Sequence, residues 1–270
     1  MKITFIGGGN MAAAILGGLV RDGFDAGGVN IVEPVAAARA QLGERFGVAV
    51  AASVSELGAI GEVVVLAVKP QQMHAAVVPL TPHLQQQVVL SIAAGLRVAD
   101  LSRWLGGYTR IVRCMPNTPA LIGAGITAAC APQNLAADKR TAVERILKAI
   151  GRVVWVDDEG QLDAVTAVSG SGPAYVFYFM EALRDAARAL GLPPATAAEL
   201  TLETVLGAAK LAAGSSEDVS ILRERVTSKG GTTEAALNSL AADQVKAAIE
   251  RAVNAAHDRS RVLGAELGKD

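Results

Sequence analysis

The chain has 270 residues, 51% of them hydrophobic and only 4% aromatic, with a formal net charge of −1 and a sequence pI near 6.3. That length supports one large or two modest domains with a real core. The near-neutral charge, with no basic stripe, excludes a nucleic-acid footprint, and the Ala-, Val- and Leu-rich composition favours packed helices and a buried parallel sheet over an all-β fold.

Strand-like runs fall at 2–6, 29–33, 62–68, 87–92, 109–114, 125–131 and 152–156, with helical stretches at 11–21, 35–45, 71–79, 98–105 and 135–149 between most of them. This alternation predicts an α/β fold, a Rossmann-type doubly wound, mostly parallel sheet over residues 1–160. The run Glu62-Val-Val-Val-Leu-Ala-Val68 is continuously apolar, as a strand buried on both faces requires. From 161 to 270 the pattern turns helical throughout. One helix follows Ser171-Gly-Pro173, with Ser171 read as its cap or as part of a pocket; Gly191 and Pro193 end it. Helices at about 194–213 and 217–226 come next, and a last one carries the stripe Val245, Ile249, Val253, Ala256, Ser260, Leu263, Leu267. These helices hold more apolar face than a lone bundle buries, so the second domain is expected to be all-α and to pair with another copy of itself as a homodimer.

Several classes drop out. The stretch from Cys114 to Ala137 is uncharged but broken by Pro116, Pro119 and Pro132, poor material for a membrane helix. His74, His83 and His257 are scattered without metal-ligand spacing. Cys114 and Cys130 form no Cys-x-x-Cys pair, and no signal peptide precedes the first strand, so the expectation is a cytoplasmic chain with no metal.

Lys2-Ile-Thr-Phe-Ile-Gly7-Gly-Gly9-Asn-Met-Ala12 runs from a strand into a helix and reads as a Gly-x-Gly-x-x-Ala dinucleotide loop. Gly7 serves the tight turn, Gly9 leaves room for a pyrophosphate with Asn10 and Met11 opening the helix, and Ala12 keeps helix and strand close. Glu33 stands at the end of the second strand, where an acid takes the adenosine ribose and repels a 2′-phosphate. Arg39, six residues on, either receives that phosphate or is a solvated helix residue. Three further loops leave strand carboxyl ends: Ala67-Val68-Lys69-Pro70, Ser91-Ile-Ala93-Ala-Gly95 and Arg113-Cys-Met-Pro-Asn117-Thr-Pro119. Ala67, Val68, Lys69, Pro70, Ala93 and Asn117 are the cofactor contacts expected there, with Lys69 alternatively a surface charge and Asn117 alternatively a turn former.

Thr227-Ser228-Lys229-Gly230-Gly231-Thr232-Thr233-Glu234 is the most informative stretch. Two glycines permit a sharp turn, and a helix opens behind them whose N–H groups favour a small anion. Ser228 and Thr233 add hydroxyls. The plainer alternative is a Gly-Gly loop with a Thr cap.

These motifs occur in one order with Ser169-Gly-Ser-Gly-Pro-Ala-Tyr175, and together they resemble the pyrroline-5-carboxylate reductase family over nearly the whole chain. The resemblance implies an N-terminal Rossmann domain and an interlocking helical dimerisation domain, in a homodimer or a larger ring of dimers. It implies NADPH or NADH as cofactor, an imino acid substrate, and the last step of proline biosynthesis. It places the Gly-Gly-Thr-Thr loop of one subunit facing the nicotinamide of the other. In that role the N–H groups of Gly231 and Thr232 hold the substrate carboxylate with Ser228 and Gly230, and Thr233 is the catalytic residue, bonded to the ring nitrogen. Many family members have a proline before the glycine pair; here Lys229 stands there. The alternatives are a 3-hydroxyacid dehydrogenase using Lys210 and a non-catalytic dinucleotide-sensing dimer.

Overall fold

A computed structural model describes residues 1–269. Its sheet has eight strands in the order β3-β2-β1-β4-β5-β6-β7-β8. These are β1 (Ile3–Ile6), β2 (Val29–Val32), β3 (Ala49–Ala51), β4 (Val63–Leu66), β5 (Val88–Ser91), β6 (Ile111–Met115), β7 (Gly125–Cys130) and β8 (Gly151–Trp155). All pairings are parallel except β6 with β7. The sheet is thus the parallel-dominated, doubly wound one expected, and β1 lies where the strand order reverses.

Two local facts depart from the expected elements. Strand β3 is absent from the sequence reading because Ala49-Val-Ala51 is three residues long and two of them are alanine, which leaves no alternation to read. The antiparallel β6–β7 pair follows from the link between them: residues 116–124 are too few to house the crossover a parallel pair needs, and Pro116 and Pro119 with a 3₁₀ turn at Thr118–Ile122 reverse the chain instead.

The pleat sorts the core onto two faces. Ile3, Phe5, Val63 and Val65 point to one side, where α1 (Asn10–Arg21) and α5 (Ala137–Lys148) bring Ile15, Leu16, Leu19, Val143, Ile146 and Leu147. Ile6, Val64 and Leu66 point to the other, where α3 (Met73–Val77) and α4 (Val98–Trp104) bring Met73, Val77, Leu101 and Trp104. Most of these are wholly buried, and each large aliphatic or aromatic side chain so placed contributes about 1.5–3 kcal/mol. Helix α2 (Ala36–Phe46) lies beside the nucleotide loop, puts Leu42 in the core, and ends on Gly47 in the left-handed region.

The remaining helices are α6 (Gln161–Val165), α7 (Gly172–Ala189), α8 (Pro194–Gly214), α9 (Val219–Arg225), α10 (Thr232–Ala242) and α11 (Val245–Leu267). A π turn at Thr166–Gly170 joins α6 to α7. Ser171 is therefore not an N-cap: its N–H bonds back to the Thr166 carbonyl at 2.8 Å and the chain stays helical through it.

The chain forms two compact units, residues 1–171 with 256–269, and Gly172–Ala255. In the first, the end of α11 returns to the sheet domain. Leu267 packs among the buried residues on the α3–α4 face, and the buried Ser260 hydroxyl donates to the buried Asp163 carboxylate at 2.7 Å. In the second, α7 and α8 pack together, yet only Ala197 and Thr201 are buried. Phe177, Tyr178, Phe179, Leu206 and Leu211 stand exposed, at 66%, 75%, 57%, 41% and 71%. Among the described residues, no helix is long and apolar enough to cross a membrane.

Candidate active site

The first group of expected residues converges at the carboxyl ends of β1, β2, β4 and β5. Gly7 has φ +96°, a backbone that a side chain rarely adopts, and a Cβ there would meet Val68 Cγ1 at 2.7 Å and the Ala67 carbonyl at 2.8 Å. The loops after β1 and β4 are thus in contact through Gly7, Ala67 and Val68. Gly9 is the N-cap of α1 and supplies no capping side chain. The N–H groups of Asn10, Met11 and Ala12 have no carbonyl within the helix to reach, so they remain available to a phosphate. Ala12 is buried against the core, as close packing of helix and strand demands.

Gly8, which the fingerprint reading passed over, is also close to its surroundings. A Cβ on it would lie 2.2 Å from Leu42 Cδ1, and its N–H donates to Glu33 Oε2 at 2.9 Å. The signal was present as a run of three glycines where the motif asks for two. Glu33 Oε1 accepts the Val35 N–H at 2.9 Å, so the carboxylate is clamped between the glycine loop and the end of β2. Arg39 is turned to the backbone: its Nη1 donates to the carbonyls of Glu33 at 2.7 Å and Pro34 at 3.0 Å.

Beside this loop lies a cleft of about 540 Å³, bordered by Gly7, Glu33, Pro34, Ser53, Val68 and Gln72. It fits the adenosine half of a dinucleotide: the Gly7 backbone, apolar walls from Val32, Val54 and Pro79, and a ribose-seeking carboxylate. Lys69 is exposed, preceding Pro70 in a 3₁₀ turn. Ala93 is buried, and beyond it Ala94, Gly95, Pro70 and Gln71 border a second cavity of about 330 Å³ together with Thr166 and Ser260.

Asn117 is occupied by the fold. Its Oδ1 accepts the Ile126 N–H at 2.9 Å and its Nδ2 donates to the Ser169 carbonyl at 3.2 Å, tying the start of β7 to the π turn. That leaves one Nδ2 hydrogen for anything else. Arg113, on the same strand exit, is buried and paired with Glu159 at 2.9 Å; Glu159 Oε1 also accepts the Val98 N–H. Cys114 and Cys130 are free and buried, and burial pushes both thiols up, which disfavours the thiolate.

The second group lies in the helical unit. Residues Ser228–Gly231 form a four-residue turn in which the Gly231 N–H donates to the Ser228 carbonyl at 3.0 Å. Gly230 holds φ +74°, the value a type II turn requires at its third position. This corrects one expectation: the Gly231 N–H closes the turn and is not free for a carboxylate. The Gly230 N–H is also taken, by Glu234 Oε2 at 2.7 Å. The N-cap of α10 is Gly231, not a threonine, and again has no capping side chain. The unspent first-turn donors are therefore the N–H groups of Thr232, Thr233 and Glu234, with the Thr233 side chain half-buried beside them. Lys229 occupies the second turn position, the one proline favours. Lys210 is exposed on α8.

Comparison with known proteins finds a match for each half of the chain. A family model for pyrroline-5-carboxylate reductase dimerisation matches residues 159–263, and one for coenzyme F420-dependent NADP oxidoreductases matches residues 2–95. The pyrroline-5-carboxylate reductase of Pseudomonas aeruginosa is 47% identical over 99% of this chain and 98% of its own length. The structure of a pyrroline-5-carboxylate reductase from Coxiella burnetii superposes with a TM-score of 0.92 at 40% identity, covering 97% of this chain and 98% of that one. The Plasmodium falciparum pyrroline carboxylate reductase, solved with NADP bound, gives 0.86 at 29% identity over 98% of both chains. The helical half thus carries the dimerisation module, the sheet half carries the dinucleotide fold, and the chain belongs to the pyrroline-5-carboxylate reductase family.

Proposed function

We infer that the two glycine turns divide the family's reaction between them: one holds the nucleotide, the other the imino acid. The chain is an NAD(P)H-dependent oxidoreductase that reduces 1-pyrroline-5-carboxylate to L-proline, the closing step of proline biosynthesis. The observation that carries the division of labour is the presence in one chain of two uncapped helix starts, each behind glycine, at Asn10 and at Thr232.

When bound, the reduced nicotinamide supplies hydride to the carbon of the C=N bond, and the ring nitrogen ends as an amine. Residues Gly7, Gly9, Asn10, Met11 and Ala12 cradle the pyrophosphate and Glu33 meets the adenosine ribose. Ala67, Val68, Lys69, Pro70, Ala93 and Asn117 shape the path toward the reacting end. The N–H groups of Thr232 and Thr233 hold the substrate carboxylate, with the Ser228 hydroxyl and the Gly230–Gly231 turn around it. The Thr233 hydroxyl positions the ring nitrogen and relays its proton. A protonated imine is already electrophilic, so alignment and exclusion of water suffice and no strong general acid is required.

Residues 161–270 act as the dimerisation and substrate-binding domain, residues 1–160 as the nucleotide domain. The protein works in the cytoplasm as a homodimer that can build a larger ring, and has no use for nucleic acid.

The test follows loss of reduced-nicotinamide absorbance with pyrroline-5-carboxylate and, separately, a panel of 3-oxo acids. Turnover of the imine alone, retained in Lys210→Ala, is the expected result. Turnover of a 3-oxo acid that disappears in Lys210→Ala would overturn the reading in favour of a hydroxyacid dehydrogenase.

A further inference from the structure

Which nicotinamide the chain prefers is written in the cleft. Among the described residues bordering the 540 Å³ cleft, Glu33 is the one charged side chain; the rest are apolar, small, or neutral Ser53, Gln71 and Gln72. Its carboxylate is not a loose surface group. Both oxygens are held by backbone donors, Gly8 N–H on Oε2 and Val35 N–H on Oε1, each at 2.9 Å. Each oxygen keeps lone-pair capacity for a further donor. A ribose with free 2′- and 3′-hydroxyls supplies two such donors. A 2′-phosphate replaces one of them with a dianionic group that only accepts.

The cation nearest in sequence that could answer a 2′-phosphate, Arg39, is turned to the backbone. Arg39 Nη1 bonds the Glu33 and Pro34 carbonyls, and Arg39 does not border the cleft. Moving Glu33 aside would break its bonds to the Gly8 and Val35 N–H groups.

We propose that Glu33, clamped by Gly8 and Val35, makes this chain an NADH-selecting reductase that discriminates against the 2′-phosphate. The proposal rests on the dinucleotide reading of the cleft and not on the identity of the imino acid. Specificity here is built by placing a repulsive charge against the wrong ligand as much as by contacts to the right one.

The experiment is isothermal titration of the full-length protein with NAD⁺ and NADP⁺, repeated with AMP and 2′,5′-ADP as fragments that differ at the 2′ position. Steady-state kcat/KM with NADH and NADPH is measured alongside. NAD⁺ should bind at least about tenfold more tightly than NADP⁺, since like charges are brought together only with the phosphate. Glu33→Gln, isosteric and neutral, should shrink that ratio about tenfold, and Arg39→Ala should leave it within twofold. Tighter binding of NADP⁺ by the unmodified protein overturns the proposal without any variant. So does an unchanged ratio in a folded Glu33→Gln, or selective loss of NADP⁺ in Arg39→Ala. Binding with the expected ratio but no turnover of pyrroline-5-carboxylate would sink the assigned reaction and leave this selectivity standing.

Discussion

The two units of the molecule solve the burial problem in opposite ways. The sheet unit closes its own core: Ile3, Phe5, Val63, Val64, Val65 and Leu90 have no exposed surface at all. The helical unit buries two small residues and leaves aromatic rings in water. A region rich in Ala and Leu that cannot hide them alone is half of a structure, and a dimerisation module is what the matched family model describes there. Sequence can therefore be amphipathic with respect to a partner that the same gene encodes, and burial in one copy understates the stability of such a region.

The sharpest break of this contrast is a charge on the exposed face. Phe177→Glu should convert the dimer to monomer in light scattering and abolish turnover, while NAD⁺ binding to the sheet unit survives. Loss of nucleotide binding as well would mean the two units are not independent in this sense. Next comes the closed core: Phe5→Ala, at a wholly buried site, should cost about 3–5 kcal/mol in chemical denaturation. A smaller loss, near 1 kcal/mol, would say that the sheet is less tightly packed than its burial implies. Thr233→Ala should lower kcat about a hundredfold, equivalent to about 2–4 kcal/mol of transition-state stabilisation, with the oligomer intact. Wild-type rates would remove Thr233 from the mechanism. The smallest effect belongs to the turn before it. Lys229→Pro should raise stability by about 0.4–1 kcal/mol, because position two of this turn suits proline. A rise in KM for the imine together with that gain would reveal Lys229 as a carboxylate contact; an unchanged KM shows that it faces water.

The same contrast explains what could be read in advance. The apolar run at 63–66 and the alternation of Ile3, Phe5 and Ile6 are local patterns, and local patterns announce the sheet and its two faces. Strand β3 escaped because its residues carry almost no pattern and its place is set by pairing with β2. The reversal at β6–β7 depends on how far nine residues can reach, which is geometry rather than propensity. At the two turns, Gly7 and Gly230 were legible because both stand at positive φ, which few other residues adopt. Hydrogen-bond partners were not. Nothing in Asn117 or Gly231 as letters says that Asn117 serves Ile126 and Ser169, or that the Gly231 N–H closes its own turn. The clamp of Gly8 on Glu33 spans 25 positions of chain and is visible only once both strands are laid side by side.

Helix α11 begins in one unit and finishes in the other, so the sheet unit is discontinuous in sequence. On the ribosome its strands emerge first and can pair early, but Asp163 must wait for Ser260, nearly a hundred residues later, before its buried carboxylate finds a hydroxyl. Every intervening helix has to be synthesised before the nucleotide-binding half acquires its final piece. Translation that stalls within α8 or α9 would leave the sheet unit without the α11 segment that bonds Asp163 and packs Leu267, an open surface for proteolytic quality control.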